Sequence, residues 1–253
     1  NDHKHYEGPI GSKEKFKDVE LPYDLKVLEG NAKEEYPDYI GQCAALDKNL
    51  GRIVSRLKKE GLYDNTVIIF ASDHGSHFKT RNKDEHLNGY DDYKRSCHDA
   101  AVHVPLVIAG GPFKGGLKIN EVVSTASLPK TILALAGIDV GQNMIGENLL
   151  DVALHKDKNR AQEAFIQISE SRLGRAIRTD KYCYAVYAPN IGGGDKASSD
   201  YYKDDFLYDL QNDPYELSNK IKDDAYLEIK LALRKRLKEM IEKAENMHVS
   251  IED

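Results

Sequence analysis

An acidic residue and a histidine stand side by side at the end of an apolar run, and they are the first candidates for chemistry in this sequence. The run Thr66–Ala71 is rich in β-branched residues, and Ser72-Asp73-His74-Gly75 follows it directly. Hard divalent cations prefer carboxylate oxygen, and a neutral imidazole also binds metals. Gly75 allows the backbone conformations that a turn here would use. The pattern indicates a metal-binding corner, while the same residues also suit an ordinary turn with a surface histidine.

Basic and imidazole side chains are concentrated in the polar stretch 76–100 that follows this corner. They are candidates for contacts with an anion, and each of them also suits a solvated loop: His77, Arg81, His86, Lys94, Arg95 and His98. Open α/β sheets bind their ligands beyond the C-terminal ends of their strands. The stretch therefore lies where this type of fold places its chemistry.

The elements that must position the corner follow a helix–strand order. Residues 36–60 carry apolar side chains at three- and four-residue steps, which predicts a helix. The run 66–71 predicts a strand buried on both faces, the kind found in parallel sheets. Three more elements are predicted, namely a buried strand at Val104–Ala109, a strand at Ile119–Ser124 and a short helix at Ser127–Gly137. The order favours an α/β domain with mostly parallel central strands.

The pattern changes near residue 155. Short strands separated by turns are predicted there, followed by an amphipathic helix: Ala164–Ser169, Arg175–Thr179, Tyr182–Tyr187, Phe206–Leu210 and the helix Asp223–Asn246. Asn190–Gly194 is a glycine-rich loop, and residues 1–35 indicate a long loop. Strands followed by one helix indicate a small α+β subdomain with an antiparallel sheet. We therefore divide the chain into an α/β domain at 1–157 and an α+β subdomain at 158–253.

Composition narrows the function classes. The net charge of −6 argues against nucleic acid binding, because phosphate contacts require a basic face. No apolar run approaches the roughly 18–20 residues that would cross a membrane. The cysteines Cys43, Cys97 and Cys183 match no zinc spacing, and we expect free, buried thiols. The chain opens on Asn1 rather than Met, which suggests a fragment or a processed chain.

Three stretches of the sequence together resemble the type I, formylglycine-dependent sulfatases. The segment from Lys94 to Pro105 has the spacing of that family's lysine, aromatic–acidic pair and Arg-Val-Pro sequence. The segment from Tyr39 to Gly75 is similar to the sequence that leads into the family's metal-binding loop. Two tail segments, Arg175–Tyr182 and Leu207–Leu217, are similar to its C-terminal subdomain. The occurrence of all three in order is much more specific than any one motif.

The resemblance implies an alkaline-phosphatase-like α/β sandwich, of which this chain is the C-terminal part, with a small C-terminal subdomain. It implies a sulfuric ester hydrolase that acts on a sulfated carbohydrate or a similar sulfate ester. A divalent cation, Ca²⁺ or Mg²⁺, would be held by Asp73, by His74 and by two Asp residues that this chain lacks. Many members carry Asn at the position of His74.

The resemblance also assigns catalytic roles to Lys94 and His98. Lys94 would contact the sulfate oxygens or the bridging oxygen, where its fixed charge would stabilise the negative charge that builds up. His98 stands where the family usually has Tyr, and it would be a sulfate contact, an acid or a structural residue. His77, Arg81 and Asn82 would bind sulfate or sugar.

The family's nucleophile, a formylglycine made in a Cys/Ser-x-Pro-x-Arg motif, has no counterpart in this sequence. None of the three cysteines begins that motif, and Ser127 lacks the closing arginine. The nucleophile would lie upstream, together with two metal ligands. The family also has a histidine that acts near the leaving group. We expect this histidine to lie upstream as well, and the alternative is that His3 or His5 takes its place. We expect the chain to work only with the missing N-terminal part of the same polypeptide and to hydrolyse no sulfate ester alone.

Two other functions stay open. Phosphoryl-transfer and phosphoesterase members of the same superfamily also place Asp and His at a metal site, usually with two zinc ions. A non-catalytic carbohydrate-binding fragment is the other alternative. The spacing from Lys94 to Pro105 and the tail segments favour the sulfatase. The sequence leaves the compartment undetermined: a glycan substrate favours secretion or the periplasm, and a cytoplasmic location stays open.

Overall fold

The computed structural model describes residues 6–81, 93–113, 115–139, 141, 144–156 and 159–253. Its helices are α1 (Ser12–Phe16), α2 (Tyr23–Val27), α3 (Ala32–Lys59), α4 (Asp99–Val102), α5 (Leu128–Leu135), α6 (Leu149–Ala153) and α7 (Leu227–Glu245). Its strands are β1 (Ile68–Ala71), β2 (Leu106–Ala109), β3 (Glu163–Ile168), β4 (Arg172–Thr179), β5 (Tyr182–Gly192), β6 (Tyr201–Asp209) and β7 (Ser250–Glu252). A mixed α/β part is therefore followed by a sheet-rich part, as predicted.

The long helix α3 holds the segment that follows the candidate metal corner. It covers the predicted helix, begins earlier at Ala32, and is followed by Gly61, whose left-handed φ of 68° suits a helix end. Tyr36 and Tyr39 on α3 contact the buried ring of Phe78, with ring centroids 5.7 and 5.4 Å apart. Aromatic packing of this kind stabilises the loop 76–81 against the helix.

Strands β1 and β2 form a two-stranded sheet and run antiparallel. Ile68 pairs with Ala109 and Ala71 pairs with Leu106. This pair differs from the mostly parallel arrangement that we predicted for the central strands. The apolar runs indicated burial, and burial on both faces does not determine the direction of a strand's neighbour.

Two predictions for irregular regions also differ from the structure. The stretch Ile119–Ser124 is not a strand, because side chains satisfy its backbone groups: Gln162 Oε1 accepts from Val122 N at 2.9 Å, and Arg160 donates to the Val122 carbonyl. The predicted long loop 1–35 contains the short helices α1 and α2. Helices of one turn leave too little periodicity to detect in a sequence.

The second part of the chain is a five-stranded sheet in the order β3-β4-β5-β6-β7. The pairs from β3 to β6 are antiparallel, which confirms the predicted sheet. The short strand β7 joins β6 in parallel and was not predicted. Helix α7 packs on one face, where Leu233, Leu237 and Ile241 join the apolar side chains of β4 to β6 in a buried core.

A buried ion pair attaches α7 to the sheet. Arg175 on β4 and Glu245 at the end of α7 meet at 2.5 Å, with 1% and 8% of their side chains exposed. The Arg175 guanidinium also donates to the carbonyls of Ile168, Gly174 and Ala197. Burying a guanidinium costs free energy unless its donors are bonded, and these partners satisfy most of them.

The three cysteines are free thiols, as predicted. Cys97 and Cys183 are buried, whereas Cys43 is exposed on α3, contrary to our expectation that all three are buried. An amphipathic helix alternates buried and exposed positions, and Cys43 lies on the outer one. Among the residues that the structure describes, none of the helices combines the length and apolar character that crossing a bilayer requires.

Candidate functional site

The corner Ser72–Gly75 is shaped by local hydrogen bonds and by one close backbone approach. Ser72 Oγ donates to the His74 carbonyl at 2.8 Å, and Asp73 Oδ1 accepts from His74 N at 3.0 Å. Gly75 N donates to the carbonyl of Ala101 at 2.7 Å. A Cβ on Gly75 would lie 2.2 Å from the carbonyl oxygen of Ala100. Glycine is therefore required here by the neighbouring backbone.

Lys94 reaches this corner across twenty residues of sequence. Its Nζ lies 3.1 Å from His74 Nε2, and Asp73 Oδ2 lies 3.6 Å from the same nitrogen. His74 Nδ1 lies 2.9 Å from the Gly75 carbonyl, which can only accept a hydrogen bond. Nδ1 therefore carries a proton, and Nε2 accepts from the ammonium of Lys94. The structure thus brings together three of the residues that the sequence singled out.

Charge at the corner favours an ionised carboxylate. Although desolvation raises the pKa of Asp73, His74, the backbone donors and Lys94 together lower it below the ordinary value. The Asp73 side chain is 84% exposed, so solvent screens these effects strongly. Asp73 is available as an anionic ligand from mildly acidic pH upward.

The donors at this corner fit part of a divalent metal site. A metal-binding histidine usually donates its other ring N–H to a carbonyl or carboxylate, and His74 makes that bond to Gly75. Asp73 adds a hard oxygen ligand beside it. Within the described residues, no group of three or more His, Cys, Asp or Glu side chains could hold a metal ion. Asp73 and His74 therefore stay candidate ligands.

His77 and His98 lie elsewhere, and both are buried. His77 is fully buried, and neither of its ring nitrogens has a hydrogen-bond partner among the residues that the structure describes. Desolvation and the nearby Arg81 charge lower the pKa of His77 to about 3. The His98 ring packs 4.4 Å from the ring of Phe206 on β6. Desolvation, then the charges of Arg81 and Arg172, hold its pKa well below the ordinary value. Both imidazoles are neutral.

Three charged residues that sequence reasoning gave no role connect the site segment to the C-terminal sheet. Asp99 accepts from Arg178 on β4 at 3.2 and 2.9 Å. Desolvation raises the pKa of Asp99, but the hydrogen bonds from His103 and Arg178 outweigh it and bring that pKa to about 2. The buried Glu216 accepts from Asp99 N at 2.9 Å. Arg81 donates to the carbonyls of Glu216 and Tyr215 at 2.7 and 2.9 Å. Asp99, Glu216 and Arg178 stand far apart in the sequence, and no local signal indicates their contact.

The structure thus separates the predicted site residues into two groups. Asp73, His74 and Lys94 line one cavity of about 1140 Å³. His77, Arg81 and His98 do not line that cavity. They belong instead to a group of mostly buried polar residues, which we call the buried junction and which also contains Asp99, Arg178 and Glu216. Asn82 lies outside the described residues.

Comparison with known families identifies the class of protein. The Sulfatase family model matches residues 3–138, and a model described as N-sulphoglucosamine sulphohydrolase, C-terminal, matches residues 85–243. The chain belongs to the sulfatase family. Arylsulfatase K of Mus musculus is 31% identical over 204 residues, which are 77% of this chain and 34% of that protein. The chain therefore spans about a third of the length of the curated relatives that it matches.

Solved structures confirm the predicted alkaline-phosphatase-like fold class. The sulfatase-related protein yidJ of Bacteroides fragilis superposes with a TM-score of 0.71 at 22% identity, over 94% of this chain and 51% of that one. The phosphonate monoester hydrolase of Agrobacterium radiobacter superposes with a TM-score of 0.62 at 24% identity, over 84% of this chain and 42% of that one. At these identities the likeness concerns the fold alone.

Proposed function

We propose that this chain carries one side of the active site of a sulfuric ester hydrolase that acts on sulfated carbohydrates. The observation that carries the proposal is the contact of Lys94 with His74, 3.1 Å apart at the end of β1, with Asp73 beside them. The ammonium of Lys94 lies in one cavity with two side chains that could bind a cation. Together these positive charges would stabilise the negative oxygens of a sulfate group.

Lys94 is proposed as the residue that contacts the sulfate. As the S–O bond breaks, negative charge grows on the sulfate and leaving oxygens, and a fixed ammonium stabilises that charge. His74 accepts from Lys94 and so orients the ammonium within the cavity.

Asp73 and His74 are proposed as two ligands of Ca²⁺ or Mg²⁺. The bound cation would polarise the sulfate oxygens as a Lewis acid. His74 Nε2 is the nitrogen that would bind it, because Nδ1 is held by Gly75. Since Nε2 has one lone pair, the cation would replace the hydrogen bond from Lys94 and leave the ammonium of Lys94 for the sulfate oxygens. The remaining ligands and a formylglycine nucleophile are proposed to lie in the rest of the polypeptide, which would pack against the cavity.

The other predicted contacts have different support. His98 as a catalytic residue, and His77 and Arg81 as substrate contacts, would each require the buried junction to open, since His77 and His98 are buried and Arg81 is bonded to the turn at Tyr215. We therefore propose that these three residues support the cavity wall. Asn82 stays a predicted substrate contact.

Sulfated carbohydrate is the proposed substrate class. The family model that matches the second part of the chain takes its description from a sulphohydrolase of N-sulphoglucosamine. Such a substrate favours a secreted or periplasmic protein. The proposed division at residue 157 would assign the corner to the α/β domain and the opposite cavity wall, including Ser169 and Glu170, to the C-terminal subdomain.

Binding measurements on the purified chain test the proposal. We expect an aryl sulfate with Ca²⁺ to bind weakly, and Lys94→Ala to weaken that binding about tenfold, because a charge-assisted hydrogen bond contributes about 1.5–3 kcal/mol. Lys58→Ala on α3 is the matched control and should change nothing. Equal affinity in the Lys94 and Lys58 variants would contradict the proposal.

Turnover assays separate the remaining alternatives. We expect no hydrolysis of an aryl sulfate by the chain alone, and robust hydrolysis would overturn the proposal that the nucleophile lies elsewhere. The fold is shared with a phosphonate monoester hydrolase, so an aryl phosphonate ester belongs in the same titration. Tighter, Lys94-dependent binding of the phosphonate would favour the phosphoryl-transfer function instead.

A further inference from the structure

A second cation stands next to Lys94 on the same cavity wall. Arg95 lines the cavity that holds Asp73, His74 and Lys94, and its guanidinium Nη2 lies 3.0 Å from Glu170 Oε1. The side chains of Arg95 and Glu170 are 29% and 57% exposed, so this ion pair lies at the cavity rim. Exposed pairs of this kind contribute about 0–1 kcal/mol, so a competing anion can replace one partner at little cost.

The position of Glu170 is fixed by the glycine-rich segment that follows β5. Gly193 N donates to the Ser171 carbonyl at 2.9 Å, and Gly194 N donates to the Ser169 carbonyl at 2.8 Å. A Cβ on Gly193 would lie 2.0 Å from the carbonyl oxygen of Glu170, so the two turns touch through their backbones. The turn between β3 and β4 is thereby held beside Arg95, and Ser171 Oγ donates to the Arg95 carbonyl at 3.4 Å.

We propose that Arg95 recognises a second oxyanion on the substrate, and that Glu170 holds the guanidinium in place until that group replaces it. This inference rests on the proposed function. The second group would be a sulfate or a carboxylate on the same saccharide, since the planar guanidinium matches the oxygens of both. Lys94 and Arg95 are adjacent in the chain, so the two anions would be close neighbours on one or two sugar rings.

The two residues have different roles in selecting the substrate. Arg95 supplies attraction for a doubly anionic saccharide. Glu170 competes with the second anion for Arg95 and repels that anion by its own charge. When a singly sulfated saccharide is bound, Glu170 stays bonded to Arg95. Specificity is a difference between two affinities, and a displaceable acidic partner sets how large that difference becomes.

The test compares a glucosamine monosulfate, a glucosamine disulfate and a monosulfated disaccharide with a uronate carboxylate, each titrated calorimetrically into the chain. We expect the doubly anionic ligands to bind about tenfold more tightly than the monosulfate. Arg95→Ala should remove this preference, measured as the ratio of the doubly anionic to the monosulfate affinity, and Arg95→Lys should keep part of it. Glu170→Gln should enlarge the preference. Comparing the disulfate with the uronate ligand shows which oxyanion Arg95 favours.

The ion pair of Arg56 and Glu60 on α3 provides a matched control, because its Nη2–Oε1 distance is also 3.0 Å and it lies outside the cavity. Glu60→Gln should leave the preference unchanged. A preference that survives Arg95→Ala, or a Glu170→Gln variant that loses it, would overturn the inference while leaving Lys94-dependent binding intact. In Lys94→Ala, the Arg95 Nε–H resonance should still shift with the disulfate. A missing shift there counts against Arg95, whereas monosulfate binding that is absent in the parent chain, or unchanged in Lys94→Ala, counts against the proposed function.

Discussion

At the scale of single residues, the corner Ser72–Gly75 depends on a glycine that has no room for a side chain. The sequence suggested that Gly75 permits a turn conformation. Its φ is not among the left-handed values, and the constraint comes from the carbonyl of Ala100. The same glycine donates its N–H to Ala101, so the corner and α4 are joined directly by backbone.

Replacement of Gly75 by alanine should therefore destabilise the chain. The added Cβ meets backbone that cannot rotate away, and overpacking of this kind costs about 1–3 kcal/mol. Urea unfolding monitored by circular dichroism measures the change in the free energy of unfolding. Gly51→Ala on α3 is the control, because nothing lies within 4 Å of its added Cβ, and it should raise stability by about 1 kcal/mol. A Gly75→Ala variant as stable as the parent contradicts this account.

The candidate site was only partly predictable from single residues. Asp73, His74 and Lys94 were singled out because the first two follow a strand and the third matches a family spacing, and the structure brings the three together. Their roles stay predictions. Asp99 and Arg178 were not paired in advance, because their contact spans 79 residues and depends on the docking of β4. His77 looked like a loop residue, since a sequence does not reveal that aromatic packing at Phe78 draws the loop inward.

At the scale of elements, helix α7 depends on both apolar packing and one buried charge. Leu237 and Ile241 are fully buried, which the amphipathic pattern predicted. The partner of Arg175, in contrast, lies seventy residues away at Glu245, and helix periodicity says nothing about it. Strand direction shows the same limit: apolar runs located β1 and β2, but the antiparallel pairing follows from the three-dimensional path between them.

Removal of the Arg175 side chain should be among the most damaging substitutions in the second part of the chain. Arg175→Ala leaves Glu245 buried without its ion-pair partner and removes the guanidinium hydrogen bonds to three carbonyls, so we expect a loss of about 3–5 kcal/mol. Glu245→Gln keeps those carbonyl bonds and should cost clearly less. Denaturant midpoints of both variants test this order. Equal losses would show that the carbonyl bonds contribute little.

At the scale of the whole molecule, the junction between the two parts contains titratable groups with opposite responses to pH. The carboxyl of Glu216 is 2% exposed, and desolvation with the nearby Asp99 raises its pKa to about 8. Desolvation lowers the pKa of His77 and His98 instead. All three groups are neutral over a band of pH around neutrality, and charging any of them disfavours the folded junction.

Glu216→Gln should become more stabilising, relative to the parent, as pH rises. A folded pKa raised from 4.5 to about 8 gives stability that is present below the unfolded value and is lost as pH rises through the folded one. Glutamine keeps an acceptor for Asp99 N and cannot ionise. The gain should be near zero at about pH 4 and about 4 kcal/mol at about pH 8, because each unit of pKa difference corresponds to about 1.4 kcal/mol. Melting curves across that range decide the matter, and a pH-independent difference would count against a buried neutral carboxyl.

His98→Phe should protect the chain against acid. A lowered histidine pKa gives stability that is present above the unfolded value and is lost as pH falls, here from about 6.5 downward. The parent chain should therefore lose about 2 kcal/mol of folding stability through His98 when the pH falls from about 7 to about 5. Phenylalanine preserves the ring contact with Phe206. Urea midpoints of the parent and of the variant are measured at both pH values. Because His77 is present in both proteins, the difference between them reports His98.

The three cysteines differ in exposure, so their thiols can serve as labelling probes of folding in the unmodified chain. Cys43 lies on the outside of α3, whereas Cys97 and Cys183 are buried at the junction, with Cys183 Sγ 3.8 Å from the Cys97 carbonyl. A maleimide should modify one thiol in the native protein and all three after unfolding. Mass spectrometry of a timed labelling reaction would then reveal how often the junction opens, without any engineered probe. A fluorophore on Cys43 alone would follow the docking of a companion polypeptide.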